Sequence, residues 1–106
     1  MAGVNDIPGL SISIEAGPPM IVRVEGEIDI STSERFGASL AENLDPAASD
    51  AVIFDLGGVT FIDSSGLAAL IGIVRGGHPV VVRNASPAVH RIIEATGLDE
   101  VLRFER

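Results

Sequence analysis

AVIFDLGGVTFIDSSGLAALIG, residues 51 to 72, decides how the chain is read. AVIFDL, 51 to 56, is a near-continuous apolar run, as in a central strand covered on both faces. The glycine pair at 57 and 58 breaks it, and VTFI, 59 to 62, leads into DSSG. Leu67, Leu70, Ile71 and Val74 then fall at i, i+3, i+4 and i+7, the spacing of an amphipathic helix. A buried strand, a tight loop and a helix are the first parts of a parallel β-α-β unit.

On the N-terminal side, residues 1–9 read as a short flexible lead-in to a domain spanning 10–106. Leu10, Ile12 and Ile14 alternate with Ser11 and Ser13, predicting a half-buried edge strand. AGPP at 16–19 is a turn and MIVRVEG at 20–26 a second strand, so the domain opens with a hairpin. Ser31 followed by Glu34 fits a capping box, with Thr32 and Ser33 as competing caps. Phe36, Leu40 and Leu44, with Ala41 beside them, predict a first helix ending near Asp45-Pro46.

On the C-terminal side, GGHP at 76–79 turns the chain and VVV at 80–82 is another buried strand. Ser86 caps a third helix with Pro87 at its first position and Val89, Ile92, Ile93 and Thr96 on one face. Gly97 stands at a left-handed C-cap with Leu98 as its apolar follower, and VLRF at 101–104 is a last strand. The order β-β-α-β-α-β-α-β predicts an α/β domain. Its sheet is mixed and mostly parallel, with about five strands and three main helices.

The chain has 106 residues, enough for one domain with one aliphatic core. It carries a net charge of −8, two histidines (His78 and His90), no cysteine and no lysine. Thiol catalysis and thiolate zinc sites are therefore excluded, and no metal or cofactor is expected. The acidity and the lack of a basic stripe argue against nucleic acid and anionic membranes as partners. No apolar run is long enough to span a bilayer, and MAGVNDIPGL lacks the basic and apolar regions of a signal peptide. A cytoplasmic protein is expected. The glycine pairs at 57 and 76 lack the spacing of phosphate-binding loops.

On a helical wheel, Ser65 lies opposite the apolar stripe of the second helix, with Ala68, Ala69 and Gly72 around it and Ile73 at the border. Ser64 falls nearer the buried side, so the simplest division makes Ser64 the cap and Ser65 the exposed hydroxyl. A solvated helix face normally carries charges. This one carries none, and it reads either as a surface for another protein or as one covered by a neighbouring element. A hydroxyl on the first turn of a helix is also a good place for a phosphate, because free N–H groups and the helix dipole favour an anion there. Phosphorylation of Ser65 would put about two negative charges into a neutral contact face.

Other chemistries fit less well. Asp55 ends the buried strand, and Asp29 and Asp63 lie in loops that could approach it, as in phospho-acceptor receiver domains. Receivers need a lysine, and the chain has none. Turn formation accounts for these aspartates equally well. A serine hydrolase would need a G-x-S-x-G elbow and a histidine base; the elbow is absent, His90 falls in the third helix and His78 in a turn. No catalytic set is assigned, and the protein is not expected to be an enzyme.

From about residue 10 to its end the chain resembles the STAS domain family, specifically the single-domain anti-sigma factor antagonists of bacteria. GEID at 26–29 with Ser31-Thr32, DLGGVTFIDSSGLAALIG at 55–72 and ASPAVHRIIEATGL at 85–98 carry the likeness. The resemblance implies binding, in the unphosphorylated state, to an anti-sigma factor that is also a serine kinase with an ATP-binding fold, which frees the sigma factor. It implies phosphorylation at Ser65, with Ser64 as runner-up, and reversal by a PP2C-type phosphatase. Asp29 and Asp63 match acidic positions beside the acceptor. The expected contact face comprises Asp29, Asp63, Ser64, Ser65, Gly66, Ala68, Ala69, Gly72 and Ile73, on a domain that is a monomer when free. The segment from Asp63 to Gly77 is roughly one and a half helical turns shorter than usual in the family. That shortening keeps open a constitutive STAS subunit that docks on a transporter ATPase or scaffold without a phospho-switch. A small hydrolase using Asp55, Asp63 or Ser65 is the third reading.

Overall fold

Leu10, Ile12 and Ile14 are buried and Ser11 and Ser13 half-buried, so the first predicted strand presents one apolar face to a core. That strand is β2 (Leu10–Glu15) of a computed structural model describing residues 2–45 and 47–105. It follows β1 (Ala2–Ile7) and precedes β3 (Met20–Ile28), α1 (Ser33–Asn43) and β4 (Val52–Ile62). Then come α2 (Ser64–Arg75), β5 (Val80–Arg83), α3 (Pro87–Ala95), a 3₁₀ turn at Leu98–Glu100 and β6 (Leu102–Phe104).

The strands form one sheet in the order β1-β2-β3-β4-β5-β6. The pairs β1/β2 and β2/β3 are antiparallel; β3/β4, β4/β5 and β5/β6 are parallel. The mixed, mostly parallel sheet with three helices is the expected architecture. The core gathers Ile12, Val22, Phe54, Leu56, Ile62, Leu70 and Ile93, all fully buried or nearly so. Each such side chain contributes on the order of 1.5–3 kcal/mol relative to exposure. Phe36 of α1 meets Phe54 of β4 edge to face, with ring centroids 6.1 Å apart, which pins the first crossover helix to the central strand.

Three expectations change. Ala2–Ile7, read as a flexible lead-in, pairs in register with β2, Ile7 opposite Leu10. The intervening Pro8-Gly9 makes a two-residue turn in which Gly9 takes φ +84°. Edge pairing of this kind is made by the backbone and needs no apolar alternation, so the sequence gives little sign of it. Second, β4 does not stop at Gly57-Gly58 but continues to Ile62. Arg23 pairs with Asp55 and Glu25 with Gly58, so β4 takes up an extra residue as a bulge; a second shift follows between Gly26 and Glu27. Third, β4 is not covered on both faces: Val52, Phe54 and Leu56 are buried, whereas Ile53 and Asp55 are only half-buried.

The helix ends follow the sequence more closely at α3 than at α1. Ser86 Oγ accepts from Val89 N–H at 3.2 Å, with Pro87 in the first turn, and Gly97 closes the helix at φ +76°. Val89 and Ile93 are buried, Ile92 is half-buried and Thr96 is exposed. At α1 there is no Ser31–Glu34 capping box. Thr32 is the N-cap residue and makes no side-chain cap bond, because its hydroxyl donates to Glu27 O at 2.8 Å and accepts from Asp29 N–H at 3.0 Å.

Candidate functional site

The end of β4 and the end of β3 lie side by side, so the loops that leave them are neighbours. Asp63 N–H donates to Ile28 O at 3.1 Å and ties the two loops together. In the β4–α2 loop the cap of α2 is Asp63, not Ser64 as expected. Its Oδ1 accepts from Ser65 N–H at 2.9 Å and Gly66 N–H at 3.2 Å. The Ser65 hydroxyl donates to the same oxygen at 2.5 Å. Asp and Ser are equally good caps; Asp63 prevails because it is the last extended residue, from which a carboxylate reaches the first free N–H groups.

The Asp63 carboxyl is held below its ordinary range, chiefly by the Ser65 hydroxyl. Partial burial opposes this, and the N–H groups of Gly66, Ser65 and Ile30 support it. The β3–α1 loop begins beside this cap, where Ile28 O accepts the Asp63 N–H. Asp29 repeats the arrangement in that loop. Its Oδ1 accepts from Ser31 N–H at 2.9 Å and from the Ser31 hydroxyl at 2.6 Å. Its carboxyl is also lowered, first by the Ser31 side chain, against partial burial. Two Asp-x-Ser turns therefore stand together, each with an ionised carboxylate holding a serine hydroxyl.

The expected contact residues divide by exposure. Ser64, Ala68 and Gly72 are exposed; Asp29, Asp63, Ser65 and Ala69 are half-buried. Gly66 is buried against Ile28 and Ile62, and Ile73 is buried on the side of α2 that faces α1. The buried stripe of α2 is Gly66, Leu67, Leu70 and Ile73, while Ile71 and Val74 are half-buried. The wheel was rotated by about one position because it omitted α1, which packs on α2 and draws Ile73 inward. Gly66 is there for closeness: a Cβ would stand 2.6 Å from Ile28 Cγ2 and 2.9 Å from Ile28 O.

One residue of the site escaped the sequence reading. Ile30, between Asp29 and Ser31, is 83% exposed, the largest exposure among the described large apolar side chains. The available signal was an apolar residue that carries the Val22-Val24-Ile28 alternation one step past the strand end.

The rival sets do not assemble around the serines. Asp55 accepts from Gly57 N–H at 3.0 Å and from Asn84 Nδ2 at 3.2 Å, a turn-forming role. His78 Nδ1 faces Asp50 O at 3.1 Å, and His90 stacks on Phe104 while its Nδ1 meets Glu94 at 2.8 Å. The Ser65 hydroxyl is bonded to a carboxylate, not to an imidazole. Among the described residues, no group of three His, Cys, Asp or Glu side chains could hold a metal ion, and no helix is long and apolar enough to cross a membrane.

The STAS domain family model matches residues 11–106, which includes both Asp-x-Ser loops. The chain belongs to the STAS domain family. An anti-sigma F factor antagonist of Paenibacillus polymyxa is 30% identical over 87 residues, 78% of this chain and 74% of its own. The crystal structure of an anti-sigma factor antagonist from Mycobacterium paratuberculosis is 30% identical with a TM-score of 0.72, covering 90% of this chain and 84% of that one. The anti-sigma factor antagonist SpoIIAA in its unphosphorylated form shares the fold at 22% identity. Its TM-score is 0.72, over 90% of this STAS chain and 88% of its own.

Proposed function

We propose that this STAS protein is an anti-sigma factor antagonist whose binding is switched off by phosphorylation of Ser65. The observation that carries the reading is the Ser65 hydroxyl, held 2.5 Å from the Asp63 carboxylate on the first turn of α2 beside the exposed, uncharged Ala68 and Gly72. The antagonists of Paenibacillus polymyxa and Mycobacterium paratuberculosis support the same reading.

The partner is an anti-sigma factor with an ATP-binding serine kinase fold. Unphosphorylated chain docks its α2 N-terminus and the β3–α1 loop on that partner and frees the sigma factor. In the transfer, Ser65 Oγ attacks the γ-phosphorus of ATP, the bond to the bridging oxygen breaks, and ADP leaves. The hydroxyl proton has an acceptor already in place, the ionised Asp63 carboxylate. The product carries about two negative charges beside Asp63, with no basic side chain on the adjacent Ala68–Gly72 surface to pair them. The partner therefore separates, and a PP2C-type phosphatase restores the hydroxyl. Ser64 is exposed and hydroxyl-bearing, but no hydrogen bond to Asp63 orients it.

The test is capture on immobilised Ser65→Ala chain from the native cells, followed by incubation of the captured protein with ATP and wild-type chain. Phosphate on Ser65, and loss of capture by Ser65→Asp, are expected. Tight capture by Ser65→Asp, or transfer to another residue alone, would overturn the reading and favour a constitutive subunit.

A further inference from the structure

The crossovers leave one face of the sheet bare. From β3 the chain passes through α1 to β4, through α2 to β5 and through α3 to β6, each time one step in the same direction across the sheet. Parallel crossovers are right-handed, so steps in one direction put all three helices on one side. Burial agrees. On the helix side Ile12, Val22, Phe54, Val82 and Leu102 are fully buried or nearly so. The residues between them face the other way. Of these, Ile21, Ile53, Asp55, Val81 and Arg83 are half-buried, and Glu15, Arg23 and Arg103 are exposed. Parallel strands are normally covered on both faces, whereas the parallel strands here are covered on one.

The register arranges the bare face in two rows. Ile21 pairs with Ile53 and Ile53 with Val81, an apolar row across three strands. Beside it, Arg23 pairs with Asp55 and Asp55 with Arg83, and Arg83 reaches Glu105 through two hydrogen bonds of 3.0 Å. Charge therefore alternates in sign along the second row: Arg23, Asp55, Arg83, Glu105. A row with that alternation is its own complement when reversed. A two-fold axis parallel to the strands, between β4 and β5, sets Arg23 of one copy against Glu105 of the other and Asp55 against Arg83. The same axis sets Ile53 against Val81. An axis along β4 would instead oppose Asp55 with Asp55 and Arg23 with Arg83, so charge selects the first arrangement. The bonds within one chain leave room for it. Arg83 engages Glu105 through Nε and one terminal nitrogen, and Arg23 engages Glu15 through one terminal nitrogen at 2.9 Å, so each guanidinium keeps further N–H donors.

We propose that the bare sheet face is a homodimer interface, with two copies stacked sheet on sheet about the axis between β4 and β5. Six strands about 4.8 Å apart, each about six residues long, make a face of about 24 by 20 Å. Two such faces amount to roughly 1,000 Å², the lower limit for a specific interface, so the dimer is weak and forms with rising concentration. It replaces the monomer expected of the free domain. The interface lies across the sheet from α2, so the Ser65 turn of each copy stays accessible. The dimer is additional to the proposed phospho-switch and does not rest on it.

Sedimentation velocity from micromolar to millimolar chain tests it. Wild type should pass from monomer to dimer, and high salt should shift the transition to higher concentration. Arg23→Glu and Glu105→Arg should each keep the chain monomeric, because each variant sets like charges against each other across the axis. An equal mixture of the two should dimerise again, because both contacts then join opposite charges. Ile53→Ser, at the centre of the apolar row, should weaken self-association at least roughly tenfold. Circular dichroism melts establish that each variant is folded; if Glu105→Arg does not fold once it loses its bond to Arg83, Arg23→Glu and Ile53→Ser decide the matter. Wild type that stays monomeric at millimolar concentration, a dimer undiminished in folded Arg23→Glu or Ile53→Ser, or a mixture of folded charge variants that stays monomeric would overturn the proposal. Ser65→Asp chain should dimerise as wild type does, so failure of the phospho-switch reading would leave this result standing.

Discussion

Replacing Gly66 with alanine tests how the DSSG turn is built. Intrinsic helix preference favours alanine by about 0.5–1 kcal/mol. Packing opposes it: the new Cβ would lie 2.6 Å from Ile28 Cγ2, 2.8 Å from Ile62 Cγ1 and 2.9 Å from Ile28 O. Carbon atoms rest at about 3.5–4.0 Å, so the first turn of α2 must lift by about 1 Å. The carbonyl cannot yield freely, because Ile28 O accepts the Asp63 N–H that joins the two loops. Overpacking of this kind costs about 1–3 kcal/mol. With the helix preference deducted, a net loss centred near about 1 kcal/mol remains. For a domain of this size the melting temperature should fall by roughly 4–8 °C. Thermal and urea unfolding followed by circular dichroism measure it, with Gly72→Ala as a control of opposite sign. A Gly66→Ala protein as stable as wild type would refute the close docking of α2 on β3 and β4.

Asp63→Ala should lower the melting temperature and fray the first turn of α2, because the N–H groups of Ser65 and Gly66 lose their acceptor; amide exchange at those two residues reads this directly. Both Asp29 and Asp63 have folded pKa values below the unfolded carboxylate value, so their contribution to stability is complete above about pH 4 and is lost as pH falls through the folded values. Unfolding free energy should therefore drop below about pH 4 in wild type, with a shallower slope in the Asp29→Asn/Asp63→Asn double variant. Phe54→Ala should cost about 3–5 kcal/mol, since the ring is fully buried and edge-packed on Phe36. Ile30→Ser should leave stability within about 0.5 kcal/mol of wild type while weakening capture of the partner, because Ile30 is exposed and packs on nothing it would destabilise.

The periodic elements were legible because their patterns are dictated by burial. Leu10-Ile12-Ile14, Phe36-Leu40 and Val89-Ile93 lie on strands or helices as their spacing requires, and Leu44 is the extended residue that ends α1. The α3 ends were legible because Ser86-Pro87 and Gly97 each have one dominant use. The DSSG loop was legible as a site but not in its geometry: Asp63 and Ser64 are both competent caps, and only the extended backbone of β4 up to Ile62 decides between them. The Gly57-Gly58 bulge was hidden because the same dipeptide also serves as a strand break. Ile73 was misplaced on the wheel, and Gly66 assigned to the contact face, because burial on α2 is set by two neighbours, α1 and the sheet, and a single helix sequence names neither. Edge strand β1 was missed because a short strand paired through its backbone needs no alternating side chains.

The phospho-switch itself is tested most directly by calorimetric titration of the anti-sigma factor captured on Ser65→Ala. Wild-type chain would be compared before and after phosphorylation at Ser65. Placing an unpaired charge in a desolvated contact costs about 3 kcal/mol or more, so the phosphorylated chain should bind at least roughly a hundredfold more weakly. Equal affinity of the two forms would contradict the account, leaving Ser65 as a helix-turn hydroxyl and this STAS domain as a constitutive binding module.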